Sequence, residues 1–510
     1  MGNLSATYKK AIIDELVTNI TTGTSNYYAF AANPVPFTGN TPAITYDDYT
    51  FTFTSDWQMM FGKKLMATDI SPVISNNPWT ANTKYNRYDN TPSGNLTNFY
   101  VVTAPVIGGG YNIYKCIDNA NGMNSTVAPS LIQPGTFATS DGYKWRYITS
   151  ISSESYIKFA TSAYVPVSVN TTISTSAYNY SGIDVVMINS GGSNYNTYYN
   201  GTIQGVSGGG TILQIDATAS LQPNVYALNS IYITGSYTAE LHNITNYVAN
   251  TTGNWVYIDA PVNTNNINPG VSTYRISPRV VFNTDAVSPP LAYSVVNPVS
   301  NSIANVVIIS PGYGATWVNV SIVTNPSYGS GANLYAIVPP AGGHGSEPES
   351  ELFLQGFAAS FVFANTESGN VITSATYNKI GIIKNPYSIN ATSFNSTNTY
   401  FTANAFNQVL QATTNTATLT TFANGSLITG LTSNATGTVV FSNTSTLYLT
   451  GDKYFTNNES VTDGISTTQI SINTIGSIYA KGIKPLYVQN ISNVTRSNTQ
   501  TESFKLIVQI

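Results

Sequence analysis

Residues 141–148 read Asp-Gly-Tyr-Lys-Trp-Arg-Tyr-Ile, and this stretch predicts a β fold. Asp-Gly is typical of tight turns, and side chains that follow in an extended strand alternate between its two faces. Tyr143, Trp145 and Tyr147 therefore share one face, and the residues between them share the other. We predict a hairpin strand whose three aromatic side chains pack into a core.

A second patterned segment lies upstream of this strand. Residues 98–103 and 111–118 are two extended runs on either side of a Gly-Gly-Gly stretch at 108–110, as expected of a hairpin. Cys116, the only cysteine of the chain, falls in the second run. It fits there as a small buried apolar residue, and a single cysteine allows no intrachain disulfide.

These segments resemble the small baseplate wedge subunits of T-even-type contractile-tailed bacteriophages, in which a Tyr-x-Cys strand precedes an Asp-Gly-Tyr-x-Trp-x-Tyr strand. Residues 56–63 are similar to that family's Trp-x-x-Met-Met segment, although the two Met residues here follow Trp57 one position sooner. Residues 503–510 are similar to its closing alternating strand. The resemblance covers residues 1–165, more faintly 344–385, and the C-terminal segment.

The resemblance implies a mainly β (β-rich α+β) protein with a discontinuous antiparallel core, a few helices and inserted small β-sandwich or barrel modules. The core would comprise residues 1–170, 344–385 and 479–510, and the insertions residues 171–343 and 386–478. The resemblance also implies a structural, non-catalytic subunit that forms a homodimer and contacts other baseplate wedge proteins. Such a subunit is assembled in the host bacterial cytoplasm and resides in the virion tail baseplate.

Composition agrees with a structural virion protein. Charged residues make up only 8% of the chain, whereas hydrophobic residues make up 42% and aromatic residues 12%, which disfavours disorder. The net charge of -4 provides no basic surface for nucleic acid, so we expect no nucleic-acid partner. No apolar run approaches the length of a membrane helix and no export signal is recognised, so we expect no membrane partner.

Two helices are predicted near the N-terminus. Apolar residues recur at helical spacing over residues 6–20, behind Ser5 as N-cap. A second helix is predicted over residues 56–67, despite the cost of Gly62.

The second predicted helix carries Trp57, Met59, Met60 and Phe61. Core packing is the commoner use of such side chains, and a partner-binding face is the alternative. Four large apolar residues within five positions exceed what one helical face can bury. We therefore assign these four residues to an interface.

The two segments expected as insertions have their own sequence patterns. Residues 184–216 and 305–337 align at an offset of 121 residues, which indicates a duplicated β unit inside the first insertion. Residues 386–478 contain short strands typical of a compact sandwich or barrel. Within them, residues 455–461 resemble a Phe-x-x-Gly-Glu-x-Ile/Val phrase of small β modules in phage tail proteins.

Residues typical of catalytic or metal-binding sites are sparse, and we predict no catalytic, metal or cofactor site. The densest cluster is residues 343–351, where His344 is followed by Glu347, Glu349 and Glu351. Such a cluster could bind a hard cation or form an acid–base pair. Because polar connecting segments usually lie at the surface, we expect a solvated loop instead.

Two other functions remain open from the sequence. Exposed Tyr and Trp side chains on β loops could stack on sugars, as in a receptor- or glycan-binding tail protein. A glycan-degrading enzyme would need two carboxylates brought together by the fold, and the chain has 23 acidic residues. We favour the wedge subunit over both.

Overall fold

The computed structural model describes residues 5–37, 58–90, 96–104, 109–364, 374–390, 393–415, 421–451, 454–479, 483–497 and 500–510. Antiparallel sheets dominate, helices are few, and two small six-stranded barrels are closed. The predicted mainly β fold is confirmed.

The described helices are short apart from the first. The α-helices of this part of the chain are α1 (Ala6–Thr21), α2 (Ser153–Phe159), α3 (Thr171–Ser176) and α4 (Pro348–Glu351). Short 3-10 helices span Ala67–Asp69, Ala120–Gly122, Ala177–Tyr180, Gly208–Gly210, Thr264–Asn266 and Pro326–Tyr328.

The strands run through the whole described chain. The N-terminal strands are β1 (Tyr27–Ala32), β2 (Met59–Lys64), β3 (Ile70–Ser75), β4 (Tyr100–Thr103), β5 (Tyr111–Asn119), β6 (Thr136–Ala138), β7 (Tyr143–Ile151) and β8 (Tyr164–Pro166). The next are β9 (Val186–Ser193), β10 (Tyr199–Ser207), β11 (Ile212–Ile215), β12 (Ser230–Thr234), β13 (Ala239–Asn250), β14 (Gly253–Ile258), β15 (Thr273–Ser277), β16 (Arg279–Thr284), β17 (Leu291–Asn297), β18 (Ser302–Ser310), β19 (Val318–Val323) and β20 (Ser330–Ala336). The C-terminal strands are β21 (Gly356–Phe363), β22 (Thr376–Lys384), β23 (Tyr387–Asn390), β24 (Ser393–Tyr400), β25 (Ala405–Asn407), β26 (Leu410–Thr414), β27 (Leu427–Gly430), β28 (Thr436–Ser442), β29 (Thr446–Gly451), β30 (Ser460–Thr462), β31 (Thr467–Thr474), β32 (Ile478–Tyr479), β33 (Lys484–Thr495) and β34 (Glu502–Gln509).

The chain divides into two compact units. The first unit comprises residues 1–74, 157–166 and 354–510, and the second comprises residues 75–156 and 167–353. The first unit contains the sheets β25-β2-β1-β22-β33, β34-β21-β3-β8 and β24-β23-β32, and the closed barrel β26-β29-β28-β27-β30-β31. The second contains the sheets β4-β5-β7-β6, β18-β17-β16-β19 and β20-β9, and the closed barrel β10-β11-β14-β13-β12-β15.

The predicted first helix is confirmed as α1, which begins after Ser5. The Ser5 hydroxyl accepts a hydrogen bond from the backbone N–H of Tyr8 at 3.3 Å, as an N-cap does. Ile13 is the helix residue with a buried side chain, whereas Tyr8 and Ile12 are exposed.

The prediction of a second helix over residues 56–67 is wrong, because residues 59–64 form the strand β2. This strand lies between β1 and β25 and is buried on both faces at its start. A strand that is buried on both faces has a continuous run of apolar residues in its sequence. The periodicity of a short run of this kind does not distinguish the strand from a buried helix.

Two glycines let this central sheet pack large rings. Gly62 lies opposite Phe406 and Gly381 lies opposite Phe30 in the antiparallel ladders. A Cβ at Gly62 would lie 2.3 Å from the Phe406 ring, and a Cβ at Gly381 would lie 2.6 Å from the Phe30 ring. Each glycine is thus covered by the aromatic ring of its cross-strand partner.

The C-terminal strand belongs to a sheet of the first unit. β34 pairs with β21 from Gly356 opposite Gln509 to Phe363 opposite Glu502. The other edge of β21 pairs with β3, where Gly356 lies opposite Val73. The ring of Phe504 stacks on Phe361 with the centroids 5.5 Å apart. The chain end is therefore an integral part of this sheet.

The two units differ from the domain boundaries expected from sequence. Residues 75–156, expected in one core with the N-terminus, share a unit with residues 167–353. Ile117 of β5 packs there with Val185 and Ile337, and the Ile337 N–H donates to the Val185 carbonyl at 3.0 Å. These contacts give residues 75–156 and 167–353 a common apolar cluster.

The two copies of the internal repeat have the same strand order but different strand partners. The first copy supplies β9, β10 and β11, and the second supplies β18, β19 and β20. β10 pairs with β11 in the barrel, whereas β20 pairs with β9 of the first copy. The repeat therefore does not produce two equivalent sheets.

The segment 386–478 contains the second closed barrel, and the phrase at 455–461 forms one of its turns. Asn458 stands where the phrase has glycine, and its φ of 66° lies in the left-handed region that Asn tolerates. The buried Glu459 carboxylate accepts hydrogen bonds from the Thr432 and Ser433 N–H groups, both at 2.9 Å. Burial raises the pKa of Glu459, but these donors bring the net pKa below its ordinary value. The Glu of this phrase thus anchors a neighbouring turn.

Candidate functional site

The core motif predicted from sequence is assembled on β5 and β7. Cys116 lies directly opposite Trp145 in this antiparallel pair. Tyr143 and Tyr147 join them in one apolar cluster, and all four side chains are buried. Burial raises the pKa of the Cys116 thiol, so the sulfur stays protonated and packs as an apolar group.

The Asp-Gly turn before β7 is fixed by its own carboxylate. Asp141 Oδ2 accepts hydrogen bonds from the N–H groups of Thr126 at 2.8 Å and Val127 at 3.0 Å, and from the Ser125 hydroxyl at 3.1 Å. Burial raises the pKa of Asp141, but the hydrogen bonds outweigh it and lower the pKa to about 2. Asp141 therefore has a structural role.

Three of the four residues assigned to an interface lie inside the first unit. Met59, Met60 and Phe61 of β2 are buried, and Phe61 makes edge-to-face contacts with Phe363 and Tyr377. Their burial removes the excess of apolar surface on which the interface assignment was based. Trp57, the fourth residue of that assignment, lies outside the described residues.

The segment 343–351 is not the solvated loop expected from sequence. His344, Glu349 and Glu351 are buried, and Glu347 is exposed. Lys115 of β5 reaches this segment and donates a hydrogen bond from Nζ to Glu351 Oε1 at 2.7 Å. Nδ1 of His344 lies 3.0 Å from Lys115 Nζ and 2.9 Å from Glu351 Oε1. We call Lys115, His344 and Glu351 the buried triad.

Aromatic rings and a backbone amide complete the surroundings of the buried triad. The Lys115 ammonium lies 3.4 Å from the centroid of the Tyr88 ring, a cation–π contact. The Tyr88 ring also meets the His344 ring edge-to-face. The Gly345 N–H donates to Glu351 Oε2 at 2.6 Å. Both oxygens of the Glu351 carboxylate are thus held by donors of the protein.

Burial and mutual charge shift the pKa values of the triad. Burial lowers the pKa of Lys115 to about 8, although Glu351 partly opposes the shift. Burial and the Lys115 charge lower the pKa of His344 to about 3. Burial raises the pKa of Glu351, but Lys115 and His344 outweigh it and lower the pKa to about 2. At neutral pH the triad therefore contains an ion pair and a neutral imidazole.

The triad is closed to molecules in solution. The Lys115 side chain is 0% exposed and the Glu351 side chain 2% exposed. Within the part of the chain that the structure describes, no three His, Cys, Asp or Glu side chains are arranged to hold a metal ion. The sequence patterns do not single out Lys115. The available signal was its position in the apolar run Ile113–Ile117 of a strand.

A second polar cluster surrounds the other histidine, His242 of β13. Its Nε2 lies 3.2 Å from Glu240 Oε2, and its Nδ1 lies 3.9 Å from Asp259 Oδ1. Glu240 also accepts a hydrogen bond from the Asn266 side-chain amide at 2.9 Å. These contacts tie β13 to the loop after β14.

A surface groove of 590 Å³ is lined by residues of the first barrel and of strand β17. Its lining includes Tyr232, Tyr274, Arg275 and Tyr293. The Tyr232 and Tyr293 rings stack with centroids 4.8 Å apart, and the Arg275 guanidinium lies 5.4 Å from the Tyr293 centroid. The groove combines aromatic and polar groups, as sugar-binding surfaces do.

A comparison of the chain with protein-family models finds no match, and a comparison with curated proteins finds no significant match. Among the described helices, none has the length and apolar character needed to cross a membrane.

Proposed function

We propose that this chain is a structural subunit of the baseplate wedge of a contractile phage tail, which mediates wedge assembly and baseplate rearrangement when the tail contracts. The observation that carries the proposal is the pairing of β5 with β7. The Tyr-x-Cys and Asp-Gly-Tyr-x-Trp-x-Tyr segments, which carry the resemblance, are adjacent strands with Cys116 opposite Trp145. The segments on which the resemblance to the wedge subunits rests thus pack together as one structural element.

The chemistry of the described residues supports a role in assembly. The buried triad is the densest arrangement of acid–base groups described above, and it is enclosed by protein. A substrate that diffuses from solution would not reach it. Glu459 and Asp141 likewise use their carboxylates to hold turns.

Exposed apolar residues at hairpin tips support contacts with partners. Tyr237 between β12 and β13 is 83% exposed, Val299 between β17 and β18 is 91% exposed, and Ile465 between β30 and β31 is 94% exposed. Apolar and aromatic side chains are favoured at the centres of protein interfaces. We propose that these tips contact a second copy of the chain or other wedge proteins in the virion.

The proposal is tested by association measurements on the purified protein. Sedimentation velocity should show a homodimer, and mixing with the other baseplate proteins of the phage should give larger complexes. Replacing the tip residues, as in Ile465→Ser, should weaken these complexes at unchanged stability. Ile157→Ser, an exposed change on helix α2, serves as control. Failure to associate with itself and with baseplate proteins would overturn the proposal.

A receptor- or glycan-binding tail protein is the second candidate, and the groove beside Tyr232 and Tyr293 favours it. A glycan array with the wild-type protein and with Tyr232→Ala tests this function. Saccharide binding that Tyr232→Ala abolishes, in a protein that does not associate with baseplate proteins, would establish the second candidate instead.

A further inference from the structure

The contact between Lys115 and Glu351 has an unusual setting for an ion pair. The two side chains come from positions 236 residues apart and meet at 2.7 Å with almost no exposure. Burying an ammonium and a carboxylate is costly even when they are paired. A reaction that removes both charges without moving either side chain far would relieve this cost.

We propose that Lys115 and Glu351 condense to form an intramolecular isopeptide bond. The bond joins Lys115 Nζ to the side-chain carboxyl carbon of Glu351. It links strand β5 to helix α4 within the second unit. The proposal is independent of the function proposed above, because it rests on the geometry of the buried triad alone.

The reaction is balanced without any further reagent. The amine lone pair of Lys115 attacks the Glu351 carboxyl carbon and forms the new C–N bond. The bond from that carbon to Oε1 breaks, and Oε1 leaves as water with two of the three ammonium protons. One proton remains on the amide nitrogen, and the opposite charges of the two side chains cancel. No oxidant or reductant takes part.

His344 is positioned to carry the proton. Its Nδ1 lies 3.0 Å from the nucleophile Nζ and 2.9 Å from the leaving oxygen Oε1. Both distances are within hydrogen-bond reach, which a group that transfers a proton between two atoms requires. Burial keeps the imidazole neutral, and in the tautomer that carries its proton on Nε2 the lone pair of Nδ1 accepts the proton from Lys115.

The Gly345 N–H is positioned to stabilise the oxyanion. It donates to Glu351 Oε2, the oxygen that becomes negatively charged when the amine adds to the carbon. Gly345 has φ of 85°, and a Cβ there would lie 2.7 Å from Ile173 Cγ2. Glycine is thus required at this position, both for the backbone conformation and for the close approach of Ile173.

The surroundings favour condensation over hydrolysis. The Tyr88 ring covers the ammonium, and neither reacting side chain has appreciable contact with solvent. Exclusion of water disfavours the reverse reaction and strengthens the electrostatic contacts within the site. Burial also lowers the pKa of Lys115 to about 8, so part of the amine is neutral and nucleophilic at physiological pH.

The first test is the mass of the intact wild-type protein, measured under denaturing conditions after folding. We expect it to be lighter than the sequence by one water molecule. Trypsin should fail to cleave after Lys115, and fragmentation should identify a branched peptide that contains Lys115 and Glu351. The full sequence mass after prolonged incubation at neutral pH, with normal cleavage after Lys115, would overturn the proposal.

The chain contains its own matched control. Lys10 and Asp14 form an ion pair at 2.6 Å on helix α1, but their side chains are 25% and 60% exposed. Peptides that contain these residues should be unmodified, because water has access to the pair. A loss of water that maps to this pair, or elsewhere outside Lys115 and Glu351, would also contradict the proposal.

Two variants test the roles of the residues. Lys115→Met should have the full mass of its sequence. His344→Gln retains the reacting pair but removes the proton carrier, so the bond should form about 100-fold more slowly, a typical effect of losing a general acid–base group. A bond that forms at the wild-type rate in His344→Gln would overturn the role of His344.

Discussion

Cys116 and Trp145 face each other across the antiparallel pair β5–β7, and both side chains are fully buried. The Trp145 ring stacks on Tyr143 with centroids 5.4 Å apart and meets Tyr85 edge-to-face. This packing makes Trp145 the centre of the aromatic cluster of the second unit.

Trp145→Ala should therefore lower the free energy of unfolding by about 3–5 kcal/mol, through lost burial and the cavity that remains. Denaturant titration measures this effect. Trp317→Ala provides the control, because the Trp317 side chain is 48% exposed and its replacement should cost far less. Equal effects of the two substitutions would show that Trp145 is not a core residue.

Gly62→Ala should destabilise the first unit by overpacking. The new Cβ would lie 2.3 Å from the Phe406 ring and 2.7 Å from the Ala29 carbonyl oxygen, so the central sheet must shift at a cost of about 1–3 kcal/mol. In Gly205→Ala the nearest atom is Gln214 Oε1 at 3.3 Å, on a flexible side chain. The thermal midpoint should fall for Gly62→Ala and stay nearly unchanged for Gly205→Ala.

Removal of the C-terminal strand, residues 502–510, should expose the edge of β21. Ser360–Phe363 pair with β34, whereas Gly356–Ala359 also pair with β3. Hydrogen exchange should therefore accelerate most at residues 360–363, because their backbone groups lose their strand neighbour. Deleting Ile510 alone should leave this protection intact. Unchanged protection in the longer deletion would contradict the observed sheet order.

The stability of the second unit should depend on the charge of Asp141. The pKa of Asp141 is lowered from 3.8 to about 2 in the folded protein, so its contribution is complete above about pH 4 and is lost as the pH falls through 2. Asp141→Asn should lower the unfolding free energy at pH 7 by about 1–3 kcal/mol. The reason is that the Ser125 hydroxyl and the Thr126 and Val127 N–H groups lose a charged acceptor.

The difference between wild type and Asp141→Asn should shrink as the pH falls from about 4 to 2. Urea titrations at several pH values measure it. Asp14→Asn, an exposed change on α1, should cost less than about 1 kcal/mol at pH 7. A difference for Asp141→Asn that stays constant with pH would exclude the proposed role of its charge.

The sequence predicts a strand well where aromatic residues line one face and a turn dipeptide such as Asp-Gly precedes the strand. Residues 143–151 form β7 because Asp141 and Gly142 define the turn and the aromatic residues alternate after it. Alternation does not reveal what covers the second face. Arg146, on that face, is buried, and its guanidinium donates to the Tyr180 carbonyl.

Two features of the structure could not be predicted from the sequence, and each has a physical reason. β2 is buried on both faces, so its apolar run lacks the alternation that distinguishes a strand from a helix. The buried triad joins Lys115 to Glu351 across 236 positions, and no local pattern indicates such a contact. His344 and Glu351 are close together in the sequence, but their burial depends on β5, which lies far away in the sequence.

The central claim, that the chain belongs to a tail baseplate, is tested most directly by locating it in purified virions. Electron microscopy of particles labelled with gold-conjugated antibodies against the chain measures this position. The proposal predicts label at the baseplate end of the tail, before and after contraction. Label confined to the capsid or to fibre tips, or virions that contain none of the chain, would contradict it.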